Sequence, residues 1–150
     1  MEGVPLLIRT HRIMDPSKPM LVLLHGYLGS AINWVNMLKP LSEKFSLLFF
    51  DVGGFGLNSK LRTCSAMDSA EAAEEWLTEW MLKAIEAFNL PEKFYLSGHS
   101  MGGYLASLYA SKCPERISSL FLISPGGTEP YNEATYDPYI LRDPADVTRC

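Results

Sequence analysis

No stretch of this 150-residue sequence approaches the run of about 20 apolar residues that spans a bilayer. The opening "MEGVPLLIRTHR" has neither the long apolar centre nor the small-residue cleavage site of a secretory signal. Cysteine is scarce: Cys64, Cys113 and Cys150 are odd in number and have no metal-ligand spacing, which suits free thiols in a reducing compartment better than a disulfide framework. Basic residues are few and scattered, 13 against 17 acids for a net charge of −4, so no striped cation surface exists to hold nucleic-acid phosphates. Histidine is equally sparse, at 11, 25 and 99 only. These absences predict a cytoplasmic protein without a membrane span, free to touch membranes or lipid droplets from outside.

What is present is an alternation. Apolar runs at 6–13, 20–26, 45–52, 94–98 and 119–124 read as strands. The second, third and fifth are nearly continuous in apolar residues and are therefore expected to be covered on both faces. Between them lie helical patterns. Ser30 can cap a helix through about Leu38, and Asp68 with Glu71 makes a capping-box start for a long helix to about Phe88. Ala73, Trp76, Leu77, Trp80, Ala84 and Phe88 form the core side of that helix, and its glutamates form a solvated face. A further helix from Met101 should stop near Lys112, because Pro114 bars Cys113 from the helical conformation. Strands alternating with helices imply an α/β fold with right-handed crossovers and a mostly parallel sheet. The chain reads as a single domain over 1–150, with 126–150, aperiodic and rich in proline and tyrosine, as the start of a lid or cap.

In a parallel sheet ligands gather at the carboxyl ends of the strands. Three glycine-rich segments follow those ends: His25–Gly29, Asp51–Ser59 and Gly98–Gly103. Gly98-His99-Ser100-Met101-Gly102 matches G-x-S-x-G with a strand before and a helix after, the context in which the serine is a nucleophile on a sharp, strained turn. Gly98 and Gly102 are needed because a side chain two residues from such a serine would clash, and Gly103 continues the small-residue run. The amide of Met101, at a helix N-terminus, is aimed where an oxyanion forms. A second donor is expected from the loop after the second strand, the amide of Tyr27 or else that of Leu28. His25 and Gly26 would hold that loop in shape. His99 would pack and hydrogen-bond beneath the turn, since neighbouring residues of a strand face opposite ways and its ring should not reach the Ser100 hydroxyl. His11 reads as an ordinary strand or surface residue.

The glycine–serine motif together with H-G after one strand and D-x-x-G-x-G (Asp51, Gly54, Gly56) after another resembles the α/β-hydrolase fold from about Pro19 to Pro125. The stretches "LLHGYLGSAINWVNMLKPLSEKF", "EEWLTEW" and "GHSMGGYLASLYASKCPERISSLFLISPGG" resemble one branch of it. That branch holds lysophospholipid and N-acyl-phospholipid lipases, and lysophosphatidic-acid acyltransferases that also co-activate a triacylglycerol lipase. Some members carry asparagine at the nucleophile position, so Ser100 favours the hydrolytic members. Leu28 stands where a glycine is often found in the first loop, and Asn58 where D-x-x-G-x-G-x-S expects serine. The resemblance implies a carboxylic-ester hydrolase acting on lipid or other small acyl esters, with acyl transfer to a lysophospholipid as a related outcome and no metal or organic cofactor.

The resemblance also orders the triad as serine, acid, histidine, and no histidine follows Ser100. The acids Glu129, Glu133, Asp137, Asp143 and Asp146 read as lid-surface residues, and the H-x-x-x-x-D acyltransferase signature has no match. Removing the base from a triad costs on the order of a millionfold in turnover. The expectation is therefore a part of a longer hydrolase, nearly inactive as it stands, its last strand an open edge. The alternative is a non-catalytic lipid-binding or lipase-regulating protein.

Overall fold

The computed structural model describes Ile8, residues 10–58 and residues 70–127, with backbone only at 70, 71 and 73. Five strands, β1 (Thr10–Ile13), β2 (Met20–Leu24), β3 (Ser46–Phe50), β4 (Phe94–His99) and β5 (Ile117–Ile123), form one sheet in the order β1-β3-β2-β4-β5. β2, β3, β4 and β5 run parallel, and β1 is the antiparallel strand at one edge. The helices are α1 (Val35–Ser42), α2 (Ala70–Ala87) and α3 (Met101–Lys112).

Alternation along the strands builds two cores. Val22, Leu24, Leu48, Phe50 and Leu96 point to one face and pack with Trp80, Met81, Ala84, Ile85 and Phe88 of α2 and Leu105, Ala106 and Tyr109 of α3. Leu21, Leu23, Leu47 and Phe49 point to the other, against Ala31, Trp34 and the α1 residues Leu38 and Leu41. Every residue of β2 and β3 is buried as a result. Each large side chain so placed contributes roughly 1.5–3 kcal/mol of transfer free energy.

β5 corrects the expectation of two covered faces. It pairs with β4 alone, and Phe121, Leu122 and Ile123 are 50%, 42% and 45% exposed. An apolar run marks a strand, but coverage depends on which layers lie above and below it, and among the described residues only α3 packs substantially on β5. The helix expected from Ser30 begins instead as a 3₁₀ turn, Ala31–Trp34, and continues as α1 past Pro40 to Ser42. The Ser30 amide donates to Asn33 Oδ1, one half of a capping box built on asparagine. α3 ends at Lys112, with Cys113 outside the helical region ahead of Pro114. Asp68, Cys64, Cys150 and the segment from Thr128 on, including the anticipated lid, lie outside the described residues. No described helix is long and apolar enough to cross a membrane.

Candidate active site

Ser100 joins β4 to α3 at φ 53°, ψ −118°, a conformation that L residues avoid. The local sequence allows it by omission. A Cβ on Gly98 would overlap the carbonyl of Gly102, and one on Gly102 would overlap the carbonyls of Leu24 and His25. A Cβ on Gly103 would sit 2.9 Å from Pro125 Cβ. The backbone of Ser100 is then tied to the end of β5: its amide donates to Ile123 O (3.0 Å), and its carbonyl accepts from Gly126 N (2.9 Å) and Tyr104 N (3.1 Å). Ser100 is half-buried. Since Tyr104 makes the first α3 bond, the amides of Met101, Gly102 and Gly103 precede the hydrogen-bonded ladder, as at any helix N-terminus.

The loop after β2 abuts this turn. A Cβ on Gly26 would lie 3.2 Å from Ser100 Cβ. Gly26 to Gly29 form a turn closed by Gly29 N–H to Gly26 O (3.0 Å), with Tyr27 and Leu28 at its centre. Leu28 has φ 54°, a left-handed conformation that explains why a glycine suits this position. Tyr27 packs edge-on against Phe55 of the loop after β3.

His25 holds the two loops together. It is 1% exposed, its Nε2 accepts the Val52 amide (2.8 Å), and its Nδ1 lies 2.8 Å from Gly26 O. Because Val52 N–H must find an acceptor, Nε2 carries no proton and Nδ1–H donates to Gly26 O. Burial pushes the imidazole pKa below its ordinary value, outweighing the Gly26 carbonyl and the Asp51 charge, which raise it. Both ring nitrogens are thus engaged within the scaffold.

Asp51 performs the second linkage. Its Oδ1 accepts from Ala31 N (2.7 Å) and its Oδ2 from Leu57 N (2.8 Å), joining the 3₁₀ turn to the far side of the β3 loop. Gly56, at φ 59°, leaves the space this carboxylate occupies. Asn58, buried in place of the serine the resemblance anticipated, donates from Nδ2 to Asp51 O. Its amide spans a gap at which the sequence showed only a departure from pattern.

His99 is a correction. It is exposed, with its Nδ1 3.0 Å from where a Gly26 Cβ would stand, and so lies at the surface and not beneath the turn. It is the last residue of β4, on the face it shares with Tyr95 and Ser97, and the strand ends there with its ring exposed. Tyr104 was not anticipated. Its hydroxyl donates to the Glu74 carboxylate of α2, and its ring closes on Gly127 where the chain leaves the sheet. Burial first, then Glu74, pushes its phenol pKa up to about 12. A contact spanning 30 residues leaves no local pattern to find. His11 stacks on Phe49 at the sheet edge.

The structure therefore brings Ser100, Gly26, Gly98, Gly102 and Gly103 together, with Tyr27 and Met101 adjoining and His25 and Asp51 behind. Among known proteins, mouse 1-acylglycerol-3-phosphate O-acyltransferase ABHD5 is 36% identical over 126 residues, 81% of this chain and 33% of that protein. The human (lyso)-N-acylphosphatidylethanolamine lipase is 36% identical over 110 residues, 71% of this chain and 30% of that one. In three dimensions the chain matches a membrane phospholipase A described as a bacterial virulence factor, at TM-score 0.72 and 28% identity over 95% of this chain and 46% of that one. It also matches a marine microorganism esterase at TM-score 0.69 and 27% identity, over 90% and 49%. The chain thus spans about a third of these curated relatives and just under half of these two solved structures. The family model described as alpha/beta hydrolase fold matches residues 19–147, and with the parallel sheet and the strand-to-helix serine turn in place, the chain belongs to the alpha/beta hydrolase fold family.

Proposed function

We propose that this chain carries the nucleophile half of a serine hydrolase for carboxylic esters, lipid esters first among them. The observation that supports this most is Ser100 at φ 53° between two glycines whose absent side chains make the turn possible. In this reading Ser100 Oγ attacks the acyl carbonyl, and the amides of Met101 and Tyr27 stabilise the oxyanion, each worth about 3 kcal/mol in the transition state. His25, Gly26 and Asp51 are positioning groups that fix the loop carrying Tyr27. Acyl transfer differs only in the acceptor, a lysophospholipid hydroxyl replacing water. The relatives named for lipid substrates favour lipid esters, and contact with a membrane or lipid droplet would follow from such substrates. The residues from 126 on begin a lid or cap in the same reading.

His25 cannot serve as the base while it holds Val52 and Gly26. The reading therefore needs a proton acceptor other than this residue. The test is a fluorophosphonate probe applied to the native protein in lysate of its source cells, beside the Ser100→Ala variant. Rapid labelling that Ser100→Ala abolishes is the expected result; a wild-type protein that does not label counts against catalysis. A silent probe with retained lipid binding would instead select the second reading, a non-catalytic lipid-binding or lipase-regulating protein.

A further inference from the structure

The loops after β2 and β3, together with the first residue of α1, present an apolar ridge. Leu28, Ile32, Val35 and Leu57 are 69%, 68%, 51% and 72% exposed. Ile32, Val35 and Leu57 border one cavity of about 550 Å³, floored by Leu38 and Phe49, and Leu28 stands four residues before Ile32 in the turn beside Ser100. Single surface leucines are ordinary, but exposed apolar residues gathered on neighbouring loops at the carboxyl ends of the strands mark a place of contact.

Three observations bear on what it contacts. The ridge is free of charge: no Asp, Glu, Lys or Arg occurs between Lys18 and Lys39, or between Asp51 and Lys60. Asp51 itself is 3% exposed, with both carboxylate oxygens taken by the Ala31 and Leu57 amides. Among the described residues of these loops, a charged headgroup or a charged protein face would find no exposed counter-ion. The ridge is also held outward. The Asp51 carboxylate fixes the backbone on both sides of the cavity, so Ile32 and Leu57 cannot fold inward without breaking buried hydrogen bonds. Finally, Leu28 is a solvent-exposed leucine in a left-handed conformation that glycine adopts without strain. Strain kept at an exposed apolar residue stabilises nothing in the fold and points to a use outside it.

We propose that this ridge is the face on which the protein seats itself on an uncharged lipid surface, the tips of Leu28, Ile32, Val35 and Leu57 entering the acyl boundary. The choice of lipid as occupant rests on the lipid-ester reading of Ser100. Gly26, two residues before Leu28, touches the Ser100 turn, so a surface met by the ridge is delivered to that serine.

The test is flotation of the purified protein with vesicles of phosphatidylcholine alone. The wild type is expected to float, and the double variant Leu28→Asp with Leu57→Asp to partition at least tenfold less. Both substitutions sit on exposed side chains, so the thermal midpoint should hold. Raising salt from about 0.1 to 0.5 M should leave wild-type flotation unchanged, because no ion pairs are involved. Ser100→Ala should float like the wild type, which separates this proposal from the fate of the nucleophile assignment. The proposal is overturned if the wild type stays in solution, if the double variant floats equally well, or if binding requires anionic lipid and fades with salt. It is likewise overturned if the double variant loses thermal stability or changes oligomeric state while flotation persists, since the ridge would then pack against protein.

Discussion

On the β2–β3 side of Ser100 the chain is held by buried polar side chains: His25 spans Gly26 and Val52, and Asp51 spans Ala31 and Leu57. On the β4–β5 side it is held by side chains that are missing, at Gly98, Gly102 and Gly103, and by backbone bonds from Ser100 to Ile123, Tyr104 and Gly126. The two constructions fail differently. A polar bridge loses a few hydrogen bonds when altered and responds to pH. A steric vacancy tolerates nothing, and pH does not touch it.

The largest effect should come from filling a vacancy. Gly102→Ala puts a methyl into the Leu24 and His25 carbonyls, which belong to the central strand and its loop and cannot retreat. Gly98→Ala does the same against Gly102. Each should destabilise the fold by about 3–5 kcal/mol or prevent folding, read as the shift of a denaturant midpoint. A loss below about 1 kcal/mol would mean that the turn can open, and the contrast between the two sides would go with it.

Breaking a polar bridge should cost less. Asp51→Asn keeps one acceptor and the shape but leaves either the Ala31 or the Leu57 amide without its carboxylate oxygen. Hydrogen bonds to charged groups contribute about 1.5–3 kcal/mol, so a loss near 2 kcal/mol is expected in the same unfolding experiment. Next in size is the pH response of His25. Its folded pKa lies below its unfolded value of 6.5, so the unfolded chain binds the proton more readily. The bridge's contribution is fully present above that value and is lost as pH falls through the depressed folded pKa. Stability measured from pH 8 down to 5 should therefore decline more steeply in the wild type than in His25→Gln. Equal slopes would mean that the ring can protonate in place, which the Val52 amide facing Nε2 forbids.

The same contrast governs how much could be read from the sequence. Missing side chains are visible as glycines at fixed spacing, so Gly98, Ser100 and Gly102 were placed on a strained strand-to-helix turn, as found. The apolar runs of β2 and β3 were legible because both faces of those strands are covered. The equally apolar β5 misled, because coverage comes from other layers and not from the strand itself. His99 misled for a related reason: alternation says which way a strand residue points, but not whether anything lies there to bury it. The polar bridges were hardest to read. The partners of Asp51 sit 20 residues before it and 6 after, and those of Tyr104 and Glu74 are 30 apart, distances at which no local periodicity operates.

Leu28 gives the smallest effect and the sharpest one, because it sits where the bridged loop meets the vacant turn. At φ 54° a leucine costs about 1–2 kcal/mol relative to a residue without a Cβ, partly offset by the freedom glycine regains on unfolding. Leu28→Gly should therefore stabilise the protein by about 0.5–1 kcal/mol in thermal unfolding while weakening its partition into phosphatidylcholine vesicles. Gain in one assay with loss in the other is what a residue selected for contact outside the fold must show. If glycine stabilises the chain and leaves partition untouched, Leu28 has no such contact and the ridge reduces to its other three members. If glycine destabilises it, the exposed leucine packs on something after all, and the turn beside Ser100 is held by a third kind of support, neither a polar bridge nor a vacancy.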